Sequence, residues 1–195
     1  MRAMERFQKE CAGFFDQLSI EGQKPLVFGD GPSCRPVLML VGEAPGEQEA
    51  LMGKPFVGKA GKNLDGFLQA VGLKREEIYI TNTVKFRPTK RSDAGRLVNR
   101  PPTKEEIALF LPWLKREIVL VAPDCIATLG NVPLKALAGD RVVIGDVHGQ
   151  FLECEGRVLY PLYHPASLIY NPSLRGVYAE DVKRLGDWLR NRENG

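Results

Sequence analysis

The sequence has no run of apolar residues that approaches the ~18 residues of a membrane-spanning helix. The segment from Met1 to Arg6 is charged and lacks the apolar core of a signal peptide, so we do not expect secretion. Internal repeats and low-complexity segments are also missing from the sequence. These absences predict a soluble, cytoplasmic protein that acts away from membranes, and we expect it to be a monomer.

Cysteine is scarce, and no two of the four cysteines have Cys-x-x-Cys spacing: Cys11, Cys34, Cys125 and Cys154. Scattered cysteines of a cytoplasmic protein are expected to be reduced thiols. The cysteine pattern therefore predicts neither disulfides nor a metal site.

A strong excess of one charge sign is also missing, because 27 basic and 24 acidic residues give a formal net charge of +3. So small a surplus permits nucleic acid as a partner without requiring it. The charge is nevertheless concentrated in one place. Residues 83–104 contain seven basic residues and a single acid, Asp93, which gives this segment a formal charge of +6.

Short apolar runs alternate with stretches of helical periodicity along the chain. Three runs are typical of buried strands: 37–41, 78–81 and 124–129. Four stretches have the spacing or capping signals of helices: 4–18, 63–71, 103–121 and 177–189. Residues 142–163 predict a hairpin whose second arm enters the sheet. We therefore predict a single domain over 1–195, of the three-layer α/β/α class, with a central, mainly parallel four-stranded sheet.

Unusual residues follow three of the predicted strands: Gly42–Gly46, Asn82 and His164–Ala166. Because ligands of open α/β sheets bind beyond the carboxyl ends of the strands, these segments are expected to converge on one crevice. The first of them opens a glycine-rich loop that continues to Gly61, and loops of that length usually carry function.

A phosphate-binding loop is an alternative interpretation of part of that loop, since Gly53–Lys59 fits most of the GxxxxGK pattern. Ala60 stands where a magnesium-binding serine or threonine is required, and the segment does not directly follow the strand. Pro55 also removes one of the N–H groups that would cradle phosphate. We reject nucleotide hydrolysis on these mismatches.

Four segments together have a family's order and spacing: VGEAPGEQE at 41–49, GKPFVGKAG at 53–61, TNTVKFRP at 81–88 and HPA at 164–166. They resemble the uracil-DNA glycosylase superfamily, and most closely its family four, the bacterial and archaeal enzymes. The resemblance extends over nearly the whole chain. It implies a parallel sheet flanked by helices and the hydrolysis of the bond between uracil and deoxyribose, which leaves an abasic site in DNA.

One departure from family four concerns its cofactor. Family-four enzymes normally hold a four-iron, four-sulfur cluster through four cysteines, whereas the matching positions here are Cys11, Phe14, Phe86 and Phe110. The resemblance thus implies a relative that has exchanged its cluster for aromatic packing. We expect no cofactor and expect the three phenylalanines to meet near Cys11.

The resemblance assigns roles at the base to three residues. Asn82 has an amide that can accept from uracil N3–H and donate to O4, a pattern that cytosine does not match. Phe56 can stack on an extruded base. His164 can donate to uracil O2 as negative charge develops there. The second histidine, His148, receives no role.

Glu43 and Glu49 are the predicted carboxylates that orient water or offset positive charge on the sugar, and which of them positions the water stays open. Three residues are expected to lie against the base: Gly42, Ala44 and Pro45. Ala44 stands where family-one enzymes have an aspartate, and Gly46 where they have a tyrosine that blocks the methyl group of thymine. The means of excluding thymine therefore also stays open.

Four residues of the basic segment are expected to contact DNA phosphates: Lys85, Arg87, Lys90 and Arg91. The alternative is a merely solvated basic loop. Leu168 or Ile169 is the predicted wedge that enters the vacated base stack, unless both pack inward.

Three functions remain open on the sequence. The first is a monofunctional uracil-DNA glycosylase, since no lysine stands where it would form a Schiff base. The second is a noncatalytic protein that binds damaged DNA, which the missing cluster ligands and Ala44 make conceivable. The third is a glycosylase for another deaminated base such as hypoxanthine or xanthine.

Overall fold

The structure, a computed structural model, describes residues 2–18 and 25–193. Its strands are β1 (Leu38–Gly42), β2 (Tyr79–Asn82), β3 (Thr89–Arg91), β4 (Leu97–Asn99), β5 (Cys125–Leu129), β6 (Leu152–Cys154) and β7 (Arg157–Leu162). Its helices are α1 (Arg2–Leu18), α2 (Glu47–Met52), α3 (Lys59–Val71), α4 (Lys104–Val121), α5 (Asn131–Ala138), α6 (Ile144–Val147), α7 (Ser167–Tyr170) and α8 (Leu174–Glu193). A single 3-10 turn, Arg75–Glu77, precedes β2.

The central sheet has the strand order β2-β1-β5-β7-β6. The first four of these strands are parallel to their neighbours, and β6 pairs antiparallel with β7. The α/β fold with a mainly parallel sheet is thus confirmed, but the expected number of strands, four, is wrong. Both arms of the predicted hairpin enter the sheet, because Leu152–Cys154 pairs in register with Arg157–Leu159.

Adjacent residues of β1 face opposite layers of helices, as the two-residue period of a strand requires. Leu38 and Leu40 pack with residues of α3 and α8, whereas Met39 and Val41 pack with residues of α4 and α5. All four side chains are fully buried, so both faces of the sheet are covered by helices. This is the predicted three-layer arrangement.

Helix α4 begins where the sequence predicts it. The Thr103 hydroxyl accepts from the N–H of Glu106, and the Glu106 carboxylate accepts from the N–H of Thr103. Two other elements differ from expectation: residues 89–99 of the basic segment form a β-hairpin, and residues 131–138 form α5. Among the described residues, no helix is both long and apolar enough to cross a membrane.

A third cluster of buried side chains lies between α1, α4 and the chain that follows β2. It consists of Cys11, Phe15, Val84, Phe86 and Phe110, and we call it the aromatic cluster. The Phe15 and Phe110 rings are stacked with their centroids 4.1 Å apart, and the Phe86 ring lies 5.8 Å from that of Phe110. The cluster fixes the segment that leaves the carboxyl end of β2.

Candidate active site at the carboxyl edge of the sheet

The carboxyl ends of β1, β2 and β7 meet at one small cavity, as the strand-end residues predict. Six side chains line it: Glu43, Ala44, Glu49, Phe56, Asn82 and His164. Its volume of about 40 Å³ exceeds the roughly 10–15 Å³ that one water molecule needs. Glu43 and Ala44 follow β1, Asn82 ends β2 and His164 follows β7. The sheet brings these segments, which are distant in sequence, to one cavity.

Gly42 makes room for two of the six residues. A Cβ atom at this position would lie 2.4 Å from Oδ1 of Asn82 and 2.7 Å from Cζ of Phe56. Gly42 pairs with Asn82 in the register of β1 and β2, so the carboxamide crosses directly over the glycine. Any larger residue would push the amide and the ring out of the cavity.

The carboxamide of Asn82 has no hydrogen-bond partner among the described residues, although Asn82 is 3% exposed. Its donor and its acceptor are therefore available to a ligand in the cavity. Among the described residues, the fully buried side-chain polar atoms without a partner belong to Thr128 and Tyr178, so the amide atoms of Asn82 are not sealed in the interior and open onto the cavity. The amide is therefore placed to form hydrogen bonds with a ligand there.

Phe56 has a left-handed backbone conformation with φ of +53°, which is uncommon for a residue other than glycine. The guanidinium of Arg75 donates to the carbonyl oxygens of Pro55 at 2.6 Å and of Phe56 at 3.0 Å. A Cβ atom at Gly61 would lie 2.1 Å from the Phe56 carbonyl oxygen, so the turn also needs that glycine. The surroundings thus hold the Phe56 ring, which is 5% exposed, beside Asn82.

Glu49 serves the backbone of the same loop. One carboxylate oxygen accepts from the N–H groups of Val57 at 3.0 Å and Gly58 at 2.8 Å, and the other accepts from Gly46 at 3.1 Å. The carboxyl group of Glu43, in contrast, has no hydrogen-bond partner among the described residues, and burial raises its pKa. The sequence could not distinguish the two glutamates, but the structure does: the Glu49 carboxylate is bound to backbone N–H groups, and the Glu43 carboxyl is not.

His164 is held in one tautomer. The N–H of Ala166 donates to Nδ1 at 3.1 Å, and burial lowers the pKa of the imidazole, so the neutral ring carries its proton on Nε2. A Cβ atom at Gly130 would lie 3.3 Å from the His164 Cβ, so this glycine lets β5 end close to the histidine. The site thus contains a neutral imidazole that can donate one hydrogen bond.

The backbone after β1 is less available than the sequence predicts. Of the residues expected to lie against the base, Ala44 lines the cavity, whereas Pro45 is buried and is not among its lining residues. The Gly42 carbonyl accepts from both the N–H and the hydroxyl of Thr83, so both of its lone pairs are occupied. Gly42 therefore contributes space rather than a hydrogen bond.

The prediction that Lys85 contacts phosphate is wrong. Its side chain is fully buried and its ammonium group lies 2.5 Å from the carboxylate of Glu117. Arg87 is largely buried as well, and it donates to Asn99 at 2.7 Å and to Glu47 at 3.1 Å. The segment is basic in sequence, but these two cations are already paired.

Lys90 and Arg91 are exposed on β3, near the tip of the β3–β4 hairpin. Arg87, just before β3, donates to Glu47 of α2. This contact connects the hairpin to the cavity, because α2 also contains the lining residue Glu49. The Arg91 guanidinium donates to the Gly95 carbonyl at 3.2 Å, and its other N–H groups and the Lys90 ammonium group can meet a phosphate backbone.

One of the two predicted wedge residues does not project from the surface as expected. Leu168 is half-buried and lines a separate groove between α3 and α8, together with Phe67 and Tyr178. The side chain of Ile169 lies outside the described residues. Tyr170, which the sequence analysis passed over, is 87% exposed at the end of α7, six residues after His164.

The aromatic cluster does not provide the ligands of an iron–sulfur cluster, which needs four thiolates. It contains one cysteine, Cys11, and burial raises the pKa of that thiol to about 12. Among the described residues, no group of three or more His, Cys, Asp or Glu side chains could hold a metal ion. Phe86 and Phe110 meet as expected, but Phe14 is 37% exposed and packs on Phe15 from outside, so Phe15 takes the position expected for it.

Comparisons with known proteins agree with this arrangement. A sequence profile of the Uracil DNA glycosylase superfamily matches residues 28–186. The type-4 uracil-DNA glycosylase of Saccharolobus solfataricus is 37% identical over 179 residues, which cover 87% of this chain and 79% of that protein. The type-4 enzyme of Pyrobaculum aerophilum is 39% identical over 170 residues, 82% of this chain and 81% of that protein. The crystal structure of SMUG2 from Pedobacter heparinus shares the fold, with a TM-score of 0.53 at 14% identity over 83% of this chain and 77% of that chain.

Proposed function

The chain belongs to the uracil-DNA glycosylase superfamily, and we propose that it is a DNA-repair enzyme that removes uracil from DNA and leaves an abasic site. One observation carries the proposal: an unpartnered carboxamide, an aromatic ring, a neutral imidazole and an unpartnered carboxyl line the same cavity. These are the groups that recognition and hydrolysis of a flipped nucleotide require.

We assign recognition of the flipped base to Asn82 and Phe56. A uracil that stacks on the Phe56 ring presents N3–H and O4 to the Asn82 carboxamide, which accepts from the first and donates to the second. Cytosine presents an acceptor at N3 and a donor at N4, so the same amide orientation opposes it. The space left by the missing side chain of Gly42 is occupied by both the amide and the ring, and this placement supports the assignment.

Departure of the base falls to His164. As the bond between C1′ and N1 breaks, its electron pair passes to the uracil ring, and negative charge develops on O2. A donor aimed at O2 stabilises this charge most strongly in the transition state. The Nε2–H of the neutral imidazole is such a donor, because its Nδ1 is occupied by the N–H of Ala166.

Water activation falls to Glu43 rather than Glu49. The oxygens of Glu49 are engaged by three backbone N–H groups, so we assign it the positioning of the Phe56 loop. Glu43 is free to orient a water molecule and to offset positive charge on the sugar. The water oxygen bonds to C1′, one water proton is released, and a proton from solvent neutralises the uracil anion.

A monofunctional reaction agrees with the lining of the cavity. None of its six lining residues is a lysine, and the nearby Lys85 is buried in an ion pair with Glu117. A Schiff base with the abasic sugar would require an accessible amine. We therefore propose hydrolysis without cleavage of the strand.

Binding of DNA is proposed to use Lys90 and Arg91 for phosphates and Tyr170 as the wedge. Tyr170 is exposed on the element that follows His164, whereas Leu168 is partly covered in its groove. An aromatic side chain at this position could fill the gap left by the flipped base, where stacking is worth ~1–3 kcal/mol.

The test uses oligonucleotides that carry a single uracil, hypoxanthine or xanthine, followed by alkali to cleave abasic sites. We expect cleavage of the uracil strand after alkali only, and His164→Ala as a variant that binds the same strand but excises slowly. Release of hypoxanthine or xanthine alone would identify another substrate. Binding without release of any base would indicate the noncatalytic alternative.

We further propose that the protein contains no iron–sulfur cluster. The single buried thiol in the aromatic cluster and the stacked rings of Phe15 and Phe110 support this proposal. Two further expectations from the sequence, a cytoplasmic location and a monomer, also belong to the proposal. Light scattering during size-exclusion chromatography tests the monomer.

A further inference from the structure

A buried polar network adjoins Asn82 on the side away from the cavity. It consists of Tyr79, Thr81, Lys85 and Glu117, each at most 1% exposed. None of them lines the cavity, so none is placed to touch a base there. The network joins β2, the segment after β2, and the carboxyl-terminal part of α4.

The ammonium group of Lys85 has three acceptors for its three protons. They are the Glu117 carboxylate at 2.5 Å, the Thr81 hydroxyl at 2.6 Å and the backbone carbonyl of Asn82 at 2.7 Å. The carboxylate in turn accepts from the hydroxyls of Tyr79 at 2.9 Å and Thr81 at 3.0 Å. Every proton of the ammonium group is therefore used.

The bond to the Asn82 carbonyl connects this network to the site. Strand β2 is the last strand of the sheet: it pairs with β1 on one side, and on the other side Ile80 alone forms an antiparallel bridge, with Asp30. Asn82 lies beyond this bridge. Asn82 is the last residue of β2, where a backbone carbonyl would otherwise depend on water. Lys85 therefore fixes the peptide that carries the carboxamide over Gly42.

The aromatic cluster holds Lys85 in place from the other side. Val84 and Phe86, which precede and follow Lys85 in the chain, are both buried in that cluster, so the backbone of Lys85 has little freedom. The cluster, the lysine and the Asn82 peptide form a continuous series of contacts from α4 to the cavity.

Stability alone does not account for a charged pair at this place. Two buried charges are costly to remove from water, and apolar residues of similar volume are often equally stable or more stable. What apolar residues cannot supply is a hydrogen bond to the Asn82 carbonyl.

We propose that Lys85, held by Glu117, is a positioning residue that sets the Asn82 carboxamide for recognition of uracil. This role rests on the proposed function, because it acts through the residue that contacts the base. Lys85 itself touches neither the base nor the reacting atoms.

The test compares two variants that separate stability from recognition. Lys85→Met with Glu117→Leu replaces the pair by apolar residues and removes the bond to Asn82, whereas Thr81→Val removes only the hydroxyl between the two charges. Each variant is assayed for melting temperature, single-turnover excision of uracil, inhibition by free uracil, and affinity for abasic DNA.

For the double variant we expect a melting temperature close to that of the wild type and a fall in excision of roughly ten-fold or more, the effect of one lost polar contact. Inhibition by free uracil should weaken by a similar factor, with unchanged affinity for abasic DNA. Thr81→Val should melt at a lower temperature and keep its inhibition by uracil.

Wild-type excision and inhibition in the double variant would overturn the positioning role. If the double variant does not fold, Thr81→Val still tests the proposal. Inhibition by free uracil that weakens in parallel with the melting temperature of Thr81→Val would indicate a network that only stabilises the fold. A wild-type protein that leaves uracil in DNA would overturn the proposed function, and this role with it.

Discussion

The guanidinium of Arg75 donates to the carbonyl oxygen of Phe56 at 3.0 Å, and this contact helps to hold Phe56 at a φ of +53°. A residue in that conformation stores strain of about 1–3 kcal/mol. Arg75 reaches the turn from the 3-10 segment before β2, so two parts of the chain distant in sequence determine the orientation of the ring.

Arg75→Met should therefore release the Phe56 turn. We expect excision of uracil to slow by about ten-fold, because a displaced ring loses ~1–3 kcal/mol of base stacking. Single-turnover kinetics measure this effect. Lys74→Met is the matched control, since it removes a neighbouring exposed cation that does not reach the turn; equal effects of the two variants would refute the assignment to Arg75.

Asn82→Asp should weaken recognition of uracil, because the carboxylate has no donor for O4. Loss of such a contact costs ~1.5–3 kcal/mol, or about ten- to a hundred-fold in excision. Inhibition by free uracil should weaken as well, whereas affinity for abasic DNA should persist. Unchanged kinetics in a folded variant would remove Asn82 from the site.

The rate of excision should fall on acidification as Glu43 takes up a proton. Burial raises the pKa of its carboxyl above the ordinary value of 4.5, so the fall should begin at a higher pH than for an exposed glutamate. His164 contributes no change between pH 8 and 7, because burial lowers its pKa below 6.5 and the ring is already neutral. Single-turnover rates from pH 4.5 to 8 test this, and Glu43→Gln should be slow and lack the acid limb.

The same shifts predict how stability depends on pH. The pKa of His164 is lower in the folded protein, so the unfolded chain binds its proton first as the pH falls below about 6.5. His164 therefore destabilises the fold increasingly at acid pH. In His164→Ala the fall in melting temperature between pH 7 and pH 5.5 should be smaller, and an equal fall would contradict a buried neutral ring.

Lys90→Gln with Arg91→Gln should lower affinity for DNA and reduce the salt dependence of binding by about two phosphate contacts. Preference among bases should stay the same, because these cations lie away from the cavity. Lys115→Gln with Arg157→Gln, on α4 and at the amino end of β7, is the control for the loss of two cations, and it also removes the ion pair between Lys115 and Glu155. An unchanged salt slope in the first variant would leave the hairpin as a solvated basic surface.

Phe86→Ala should destabilise the protein by ~3–5 kcal/mol, the cost of emptying a buried phenylalanine site. Phe86 is 3% exposed, whereas Phe14 is 37% exposed, so Phe14→Ala should cost much less. Denaturant unfolding measures both. The protein purified without oxygen should contain neither iron nor labile sulfide, and stoichiometric amounts of both would refute the proposal.

The parts of the site that the sequence predicts are those that the sheet itself determines. Gly42, Asn82 and His164 stand at or just after strand ends, and parallel strands bring such positions to one edge. The helix from Thr103 is equally local, because its cap is encoded within four residues.

The parts that the sequence does not predict depend on contacts between distant segments. Lys85 stands in a basic segment, and nothing in its neighbourhood shows that Glu117, 32 residues later, would draw it into the interior. Arg75 likewise reaches back 19 residues to Phe56. In both cases the local sequence predicts a solvent-exposed cation. The folded chain instead gives that cation a partner from a distant segment.

The aromatic cluster also bears on how the protein reaches its working form. Under the proposal that the protein holds no iron–sulfur cluster, the packing of Cys11, Phe15, Phe86 and Phe110 needs no delivery of iron or sulfide by assembly proteins. Oxidants that dismantle exposed metal–sulfur centres would find one deeply buried thiol here. We therefore expect the protein to mature in any host and to keep its activity in air.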